Sequence, residues 1–201
     1  MPVNAGPVRM PGGPKLQLEV TEAISEAFFE ELADVGYGRL SIDAVARRAG
    51  VGKAAIYRRW KSKLDITVAL ISKVAVAAID VPDTGSLHGD VREYFDRGRQ
   101  ALTHRLASKI IPDLLAEGVR NPELTAALLG TVRDPRRAKA AQLVQRAIAR
   151  GELPADADVG LCLDFLAGPL YWRLAVLQAD SSDDYLDRLA VKVVAAMKAV
   201  S

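Results

Sequence analysis

The sequence predicts an all-α fold, and three observations predict it. Aromatic residues make up only 5% of the 201 residues, while Ala, Leu and Arg, which favour helices, are abundant. Apolar residues recur at i, i+3 and i+4 over long stretches, the rhythm of a helix with one buried face. Glycine and proline clusters separate these stretches and bound the segments. With 50% apolar and 26% charged residues, the chain can bury a substantial core.

The elements follow in order. Residues 1–14 hold Pro2, Pro7, Pro11, Pro14 and three glycines and read as a disordered arm, either an uninvolved tail or one that brushes a DNA groove through Arg9 and Lys15. Leu16 to Val35 forms a helix whose buried stripe is Val20, Ala23, Ile24, Ala27, Phe28 and Leu32, stopped by Gly36 and Gly38. Its acids (Glu19, Glu22, Glu26, Glu30, Glu31, Asp34) make it a scaffold helix. Ser41 is the expected N-cap of a second helix with Ile42, Val45, Ala46 and Ala49 inward. Gly50 supplies a positive φ for a sharp turn, and Val51 plugs the angle. A third helix runs from about Lys53 to Trp60, with Ile56 and Trp60 inward.

Leu64 to about Asp80 continues as a linking helix, apolar at Ile66, Ala69, Leu70, Val74, Ala77 and Ala78, and ends at Val81-Pro82-Asp83-Thr84-Gly85. Further helices are expected over Leu87 to Leu106 and Ser108 to Val119. Asn121-Pro122-Glu123 combines a cap, an N1 proline and a first-turn acid. The helix it starts should reach Arg150, kinked at Pro135 and stopped by Gly151. Asp156 to Gln178 is apolar with a break at Gly168-Pro169, and Ser182 to Val200 closes the chain. The resulting architecture is a three-helix helix-turn-helix domain (15–64) joined by the linking helix to an antiparallel helical bundle (65–201), about nine helices in total.

Charge is uneven. From Arg39 to Lys63 stand eight bases against the single acid Asp43, a local +7, whereas Glu152 to Ser201 holds eight acids against four bases, −4. One end is thus built for an anionic partner. The lone Cys162 forms no internal disulfide, which fits a reducing cytoplasm. The first residues lack the apolar core of a signal peptide, and no membrane span is expected, because no run of about 18 apolar residues is present. Enzyme chemistry is not expected either. His88 and His104 lie in or beside one predicted helix, Cys162 lacks a basic partner, and neither metal-ligand spacing nor a phosphate loop is present. No cofactor is called for.

A glycine-turned pair of short basic helices has the shape of a DNA-reading unit. Its second helix presents Lys53, Ala54, Ala55, Arg58 and part of Arg59 outward. Arg58 suits guanine O6 and N7, and the small Ala54 and Ala55 permit close approach to thymine methyls. Arg47 adds to the basic surface, while Lys61 and Lys63, just past the helix, suit phosphates, which position without reading sequence. A solvated charged face, or a helical interaction module whose basic unit docks on protein, is the competing reading.

Residues 41–63 resemble the TetR family of transcriptional regulators through Asp43-Ala44-Val45-Ala46-Arg47-Arg48-Ala49-Gly50-Val51, Lys53, Ile56-Tyr57, Trp60 and Lys63. Arg150-Gly151-Glu152-Leu153 and Phe165-Leu166-Ala167-Gly168-Pro169-Leu170-Tyr171 are similar to a ligand-domain subgroup of that family. The resemblance implies phosphate contacts by Tyr57, Lys63 and Ser41. It also implies a homodimer through the last two helices, a pseudo-palindromic double-stranded DNA operator and release by a small molecule. Gly52 departs from the family pattern, which commonly has Ser or Thr there. The implied effector pocket would draw on Tyr94, Phe95, Leu114, Phe165, Tyr171 and Trp172, with Arg173, Gln178 or His104 as polar anchors. The alternative for each is a plain core or interface role.

Overall fold

The computed structural model describes residues 14–77 and 81–199, and every regular element among them is helical. The expected arm at 1–14 falls almost wholly outside these residues, as do the predicted ends at Asp80 and Val200. Nine helices are present among the described residues: α1 (Pro14–Arg39), α2 (Ile42–Arg48), α3 (Lys53–Tyr57), α4 (Lys63–Ala77), α5 (Leu87–Thr103), α6 (Ala107–Arg120), α7 (Pro122–Leu128, then Asp134–Ala149), α8 (Val159–Tyr171) and α9 (Asp183–Lys198). The two parts of α7 are joined by a π turn at Leu129–Arg133, and α8 runs on into another at Trp172–Val176.

Several boundaries moved, each for a local reason. Gly36 takes φ 75° and breaks α1, but the chain resumes a helical course to Arg39. Pro135 lies just after the π turn, which replaces the expected kink. Its ring cannot tolerate a normal carbonyl four residues back, and the wider π turn accommodates it. Gly168-Pro169 does not interrupt α8, which continues to Tyr171. The expected starts at Asn121 and Ser182 are capped as read, each accepting a bond from the backbone N–H three residues on, and Asp158, two residues past the expected start, caps α8 in the same way.

The helices enclose two cores. One, in the N-terminal head, is built on Phe28, Ile24, Leu32, Val45, Ile56 and Ile66, all at most 1% exposed. It also recruits Ile110 and Leu114 of α6 and Leu124 of α7. The other fills the C-terminal bundle with Leu87, Val91 and Phe95 of α5, Leu143 and Val144 of α7, Leu166 of α8 and Leu186 of α9. Val74, expected on the buried stripe of α4, is instead 54% exposed.

The expectation that no stretch is long and apolar enough for a membrane span fails on composition. Val159–Val176 has a mean hydropathy of 1.3 over 18 residues. Its Cys162, Leu163, Leu166 and Leu170 are nevertheless buried against the bundle core.

Candidate DNA interface

The turn between α2 and α3 is set by its backbone. Gly50, at φ 66°, occupies the left-handed position, its N–H bonds Arg47 O at 3.2 Å, and Val51 N–H bonds Ala46 O at 3.0 Å. This double closure satisfies the Ala46 and Arg47 carbonyls at the end of α2 and fixes the angle at which α3 departs. Ile56 is 1% exposed and anchors α3, and Trp60 packs at the edge of the same core. Regular α3 ends at Tyr57, and Arg58 to Trp60 continue as a turn, with Arg58 N–H still bonded to Ala54 O. Ser41 stands at the N-cap of α2, but its side chain makes no capping bond and is exposed.

The basic residues divide into held and available. Arg48 faces three carboxylates of α1, Glu30, Glu31 and Asp34, at 4.0, 3.4 and 2.8 Å, and its hydrogen bond to Asp34 pulls that carboxyl below the usual range. The acidic scaffold of α1 is therefore the dock for α2. Arg59, expected partly outward, turns back onto α1, bonding Thr21 Oγ1 at 2.9 Å and Gln17 O at 3.2 Å. Lys63 is committed too. Its ammonium donates to Tyr37 O at 3.0 Å and Gly38 O at 3.4 Å, and sits 4.5 Å from the Tyr37 ring centroid. That places its head at the C-terminal carbonyls of α1, a favourable site for a cation, and not on the open surface.

Lys53 is exposed yet paired with Asp43 at 2.8 Å, and the hydrogen bond to Asp43 raises its pKa. Ala54 is exposed and Ala55 half-buried. Tyr57 is 46% exposed, and Arg47, Arg58 and Lys61 project outward with no side-chain ion pair or hydrogen bond among the described residues. The open basic surface thus centres on Arg58 and Lys61, with Tyr57 and Arg47 beside them. Sequence reasoning missed the roles of Asp43, Arg48 and Arg59. Their partners lie 10, 14 and 38 residues away, beyond any local pattern.

Of the proposed effector residues, Tyr94, Phe95 and Phe165 pack with the bundle core, whereas Leu114 packs in the head core and Trp172 is exposed. Phe95 is fully buried in the bundle core, with Tyr94 half-buried beside it, ring to ring edge-on at 6.4 Å. Burial pushes the Tyr94 phenol up. Leu114 belongs to the head core, away from the others. Trp172 is 57% exposed, and Arg173 stacks 3.9 Å over Tyr185. His104 Nδ1 accepts from Leu106 N–H, and Gln178 is exposed, with φ 49°. Phe165 lines a cavity of about 160 Å³ between α8 and the end of α9, shared with Cys162 and Met197. Burial raises the Cys162 thiol, as for a small apolar side chain.

A glycine-closed helix pair bearing open arginine and lysine, carried on a helical bundle, defines a helix-turn-helix transcriptional regulator. The comparisons with known proteins agree. Residues 24–70 match the model of bacterial regulatory proteins of the tetR family, and residues 81–193 match the tetracyclin repressor-like C-terminal domain. The chain belongs to the TetR family, whose members are regulators and not enzymes. It is 32% identical to the DNA-binding transcriptional repressor TetR of Mycobacteroides abscessus, over 77% of this chain and 80% of that protein. It is 28% identical to the uncharacterised HTH-type transcriptional regulator YdeS of Bacillus subtilis, over 90% of each. Among solved structures, the regulator FadR of Bacillus subtilis in complex with stearoyl-CoA superposes with a TM-score of 0.68 over 89% of this chain and 97% of that one. At 19% identity the likeness is one of fold.

Proposed function

We propose that this DNA-binding regulator is a cytoplasmic repressor that grips a pseudo-palindromic operator as a homodimer and is released by a small, mainly apolar effector. In this reading residues 15–64 read DNA and residues 65–201 dimerise and take the effector. The observation that carries the operator reading is the open Arg58, Lys61 and Arg47 surface on and beside a rigidly turned helix. Arg58 reads a base edge, Ala54 and Ala55 admit the groove wall, and Ser41, Arg47, Lys53, Tyr57 and Lys61 meet the backbone. Lys63 has first to leave the carbonyls of α1, so its phosphate role is secondary.

Dimerisation is supported by the outer face of α8. Leu161, Phe165, Gly168, Trp172 and Val176 follow one another at helical spacing, and Leu161, Trp172 and Val176 are 51%, 57% and 48% exposed. A Cβ at Gly168 would meet nothing, so a partner helix has room to approach. On α9, Val191 is 53% exposed. Covering these half-exposed side chains removes further apolar surface from water, at roughly 25 cal/mol per Å², which favours a second copy against this face. One recognition helix covers only a few base pairs, so two copies about 34–36 Å apart make a selective reader. The effector reading is supported more loosely, by the half-buried Tyr94 and Tyr171 and by FadR having been captured with stearoyl-CoA.

Sedimentation of the full chain, followed by duplex titration at increasing salt, tests this. The expected result is a dimer whose affinity for a selected duplex falls steeply with salt, with a log–log slope of about −0.9 for each phosphate neutralised. Trp172→Glu should give a monomer that no longer binds the palindrome. A wild-type chain that is monomeric at micromolar concentration, or whose duplex affinity ignores salt, overturns the reading.

A further inference from the structure

We infer that Asp113, on α6, is a positioning residue for DNA reading: its carboxylate sits in the break of α1 and holds α6 and the reading head as one body. The inference rests on the DNA-binding role of the head. It starts from Gly36. With φ 75° and ψ 164°, this residue takes the chain out of the helix, so the next N–H loses its helical acceptor. A buried backbone donor needs another partner. Tyr37 N–H finds it in Asp113 Oδ2, 2.7 Å away and 76 residues distant in sequence. The carboxylate fits because position 36 has no side chain. A Cβ there would overlap Asp113 Oδ1 and stand 3.0 Å from its Cγ. Glycine is required twice at this point, once by φ and once by the group that fills the space.

The other side of the same residue is held as well. Tyr37 O accepts the Lys63 ammonium at 3.0 Å, and Lys63 is the first residue of α4. The two helices that cross between head and bundle thus grip the N–H and the C=O of one residue. The Tyr37 ring is 4% exposed, so that residue is itself locked into the head core. Around the clamp, Ile110 and Leu114 of α6 enter that core, and Arg105, just before α6, pairs with Glu30 of α1 at 2.5 Å. Since Glu30, Glu31 and Asp34 in turn hold Arg48 of α2, the orientation of α6 is transmitted through α1 to the helix pair that meets DNA. Releasing Asp113 frees that orientation without touching any DNA-facing side chain.

The test compares wild type, Asp113→Ala and Asp113→Asn, as full-length protein well below the melting temperature. The probes are a duplex selected by the wild type from a random pool and an unrelated duplex. Asp113→Ala should lose about tenfold on the selected duplex, the lower part of the range for coupling between sites. Binding to the unrelated duplex should stay within about twofold, because the phosphate contacts are intact. Asn retains an oxygen that can accept the Tyr37 N–H, so Asp113→Asn should restore most of the selectivity. Amide exchange at Tyr37, measured without DNA, should quicken in Asp113→Ala. An unchanged selectivity ratio with only a lower melting temperature makes Asp113 merely structural and overturns the proposal. So does unchanged protection of the Tyr37 amide, whatever the DNA result. If Asp113→Ala does not fold, Gly36→Ala, which displaces the carboxylate, must reproduce the loss of selectivity or the proposal fails.

Discussion

The head and the bundle solve opposite problems. The head closes its core completely, using its own four helices and three residues borrowed from α6 and α7. The bundle fills its interior from α5, α7, α8 and α9 and leaves an apolar stripe on the outside of α8 uncovered. The head also ties down much of its charge: Arg48, Arg59 and Lys63 all bond α1 or its C-terminal end. A nominal +7 is therefore a poor measure of what reaches a phosphate. The contrast teaches that side-chain ties are spent on the head, while the longest run of exposed apolar residues lies on α8 and its π turn.

Four substitutions probe that contrast, the strongest first. Phe95→Ala, in the bundle, should destabilise the chain by roughly 3–5 kcal/mol, as removal of a fully buried aromatic does. Because α6 and α7 contribute to the head core, chemical denaturation followed by circular dichroism and by tryptophan fluorescence should still give one coincident transition. Two separated transitions would mean that the cores are independent, and the borrowed residues unimportant.

Next come Arg58→Ala and Lys63→Ala, measured side by side. Loss of Arg58 should cost about 1–3 kcal/mol on the preferred duplex and much less on others, with stability unchanged. Loss of Lys63 should lower stability by about 1 kcal/mol, since two carbonyls lose a charged donor, and weaken all duplexes alike. A Lys63→Ala protein of full stability would show that the ammonium is not needed at the end of α1. The smallest effect is expected at Gly52. Its φ is −73°, and a Cβ there meets nothing, so serine fits without strain. Gly52→Ser should tighten binding to all duplexes and raise stability by a few tenths of a kcal/mol through a better cap. Weakened binding in an anisotropy titration would show that the glycine is needed for close approach.

What was legible in the sequence is what local chemistry decides. The glycine turn at Gly50, the caps at Asn121 and Ser182, and the stop at Gly151 with φ 72° all follow from residues within four positions of one another. The buried face of α3 was legible for the same reason, since Ile56 has only one way to point. What was not legible depends on distant partners. Nothing near Arg59 predicts that it turns toward Thr21, and nothing near Gly36 predicts a carboxylate from α6. The effector candidates divide between core and surface for a related reason. Aromatic residues on helices of similar spacing look alike in sequence, whether they end up as core, like Phe95, or at the surface, like Trp172.

The ion pair between Lys53 and Asp43 has a consequence for how the chain finds its site. A lysine whose charge is balanced by its own neighbour gives little attraction to an arbitrary stretch of duplex, and the carboxylate beside it is repelled by phosphate. In the proposed mode of binding, both effects shorten the dwell time on any duplex. In that mode, the pair therefore weakens indiscriminate adhesion at the first turn of α2 and leaves discrimination to the open Arg58.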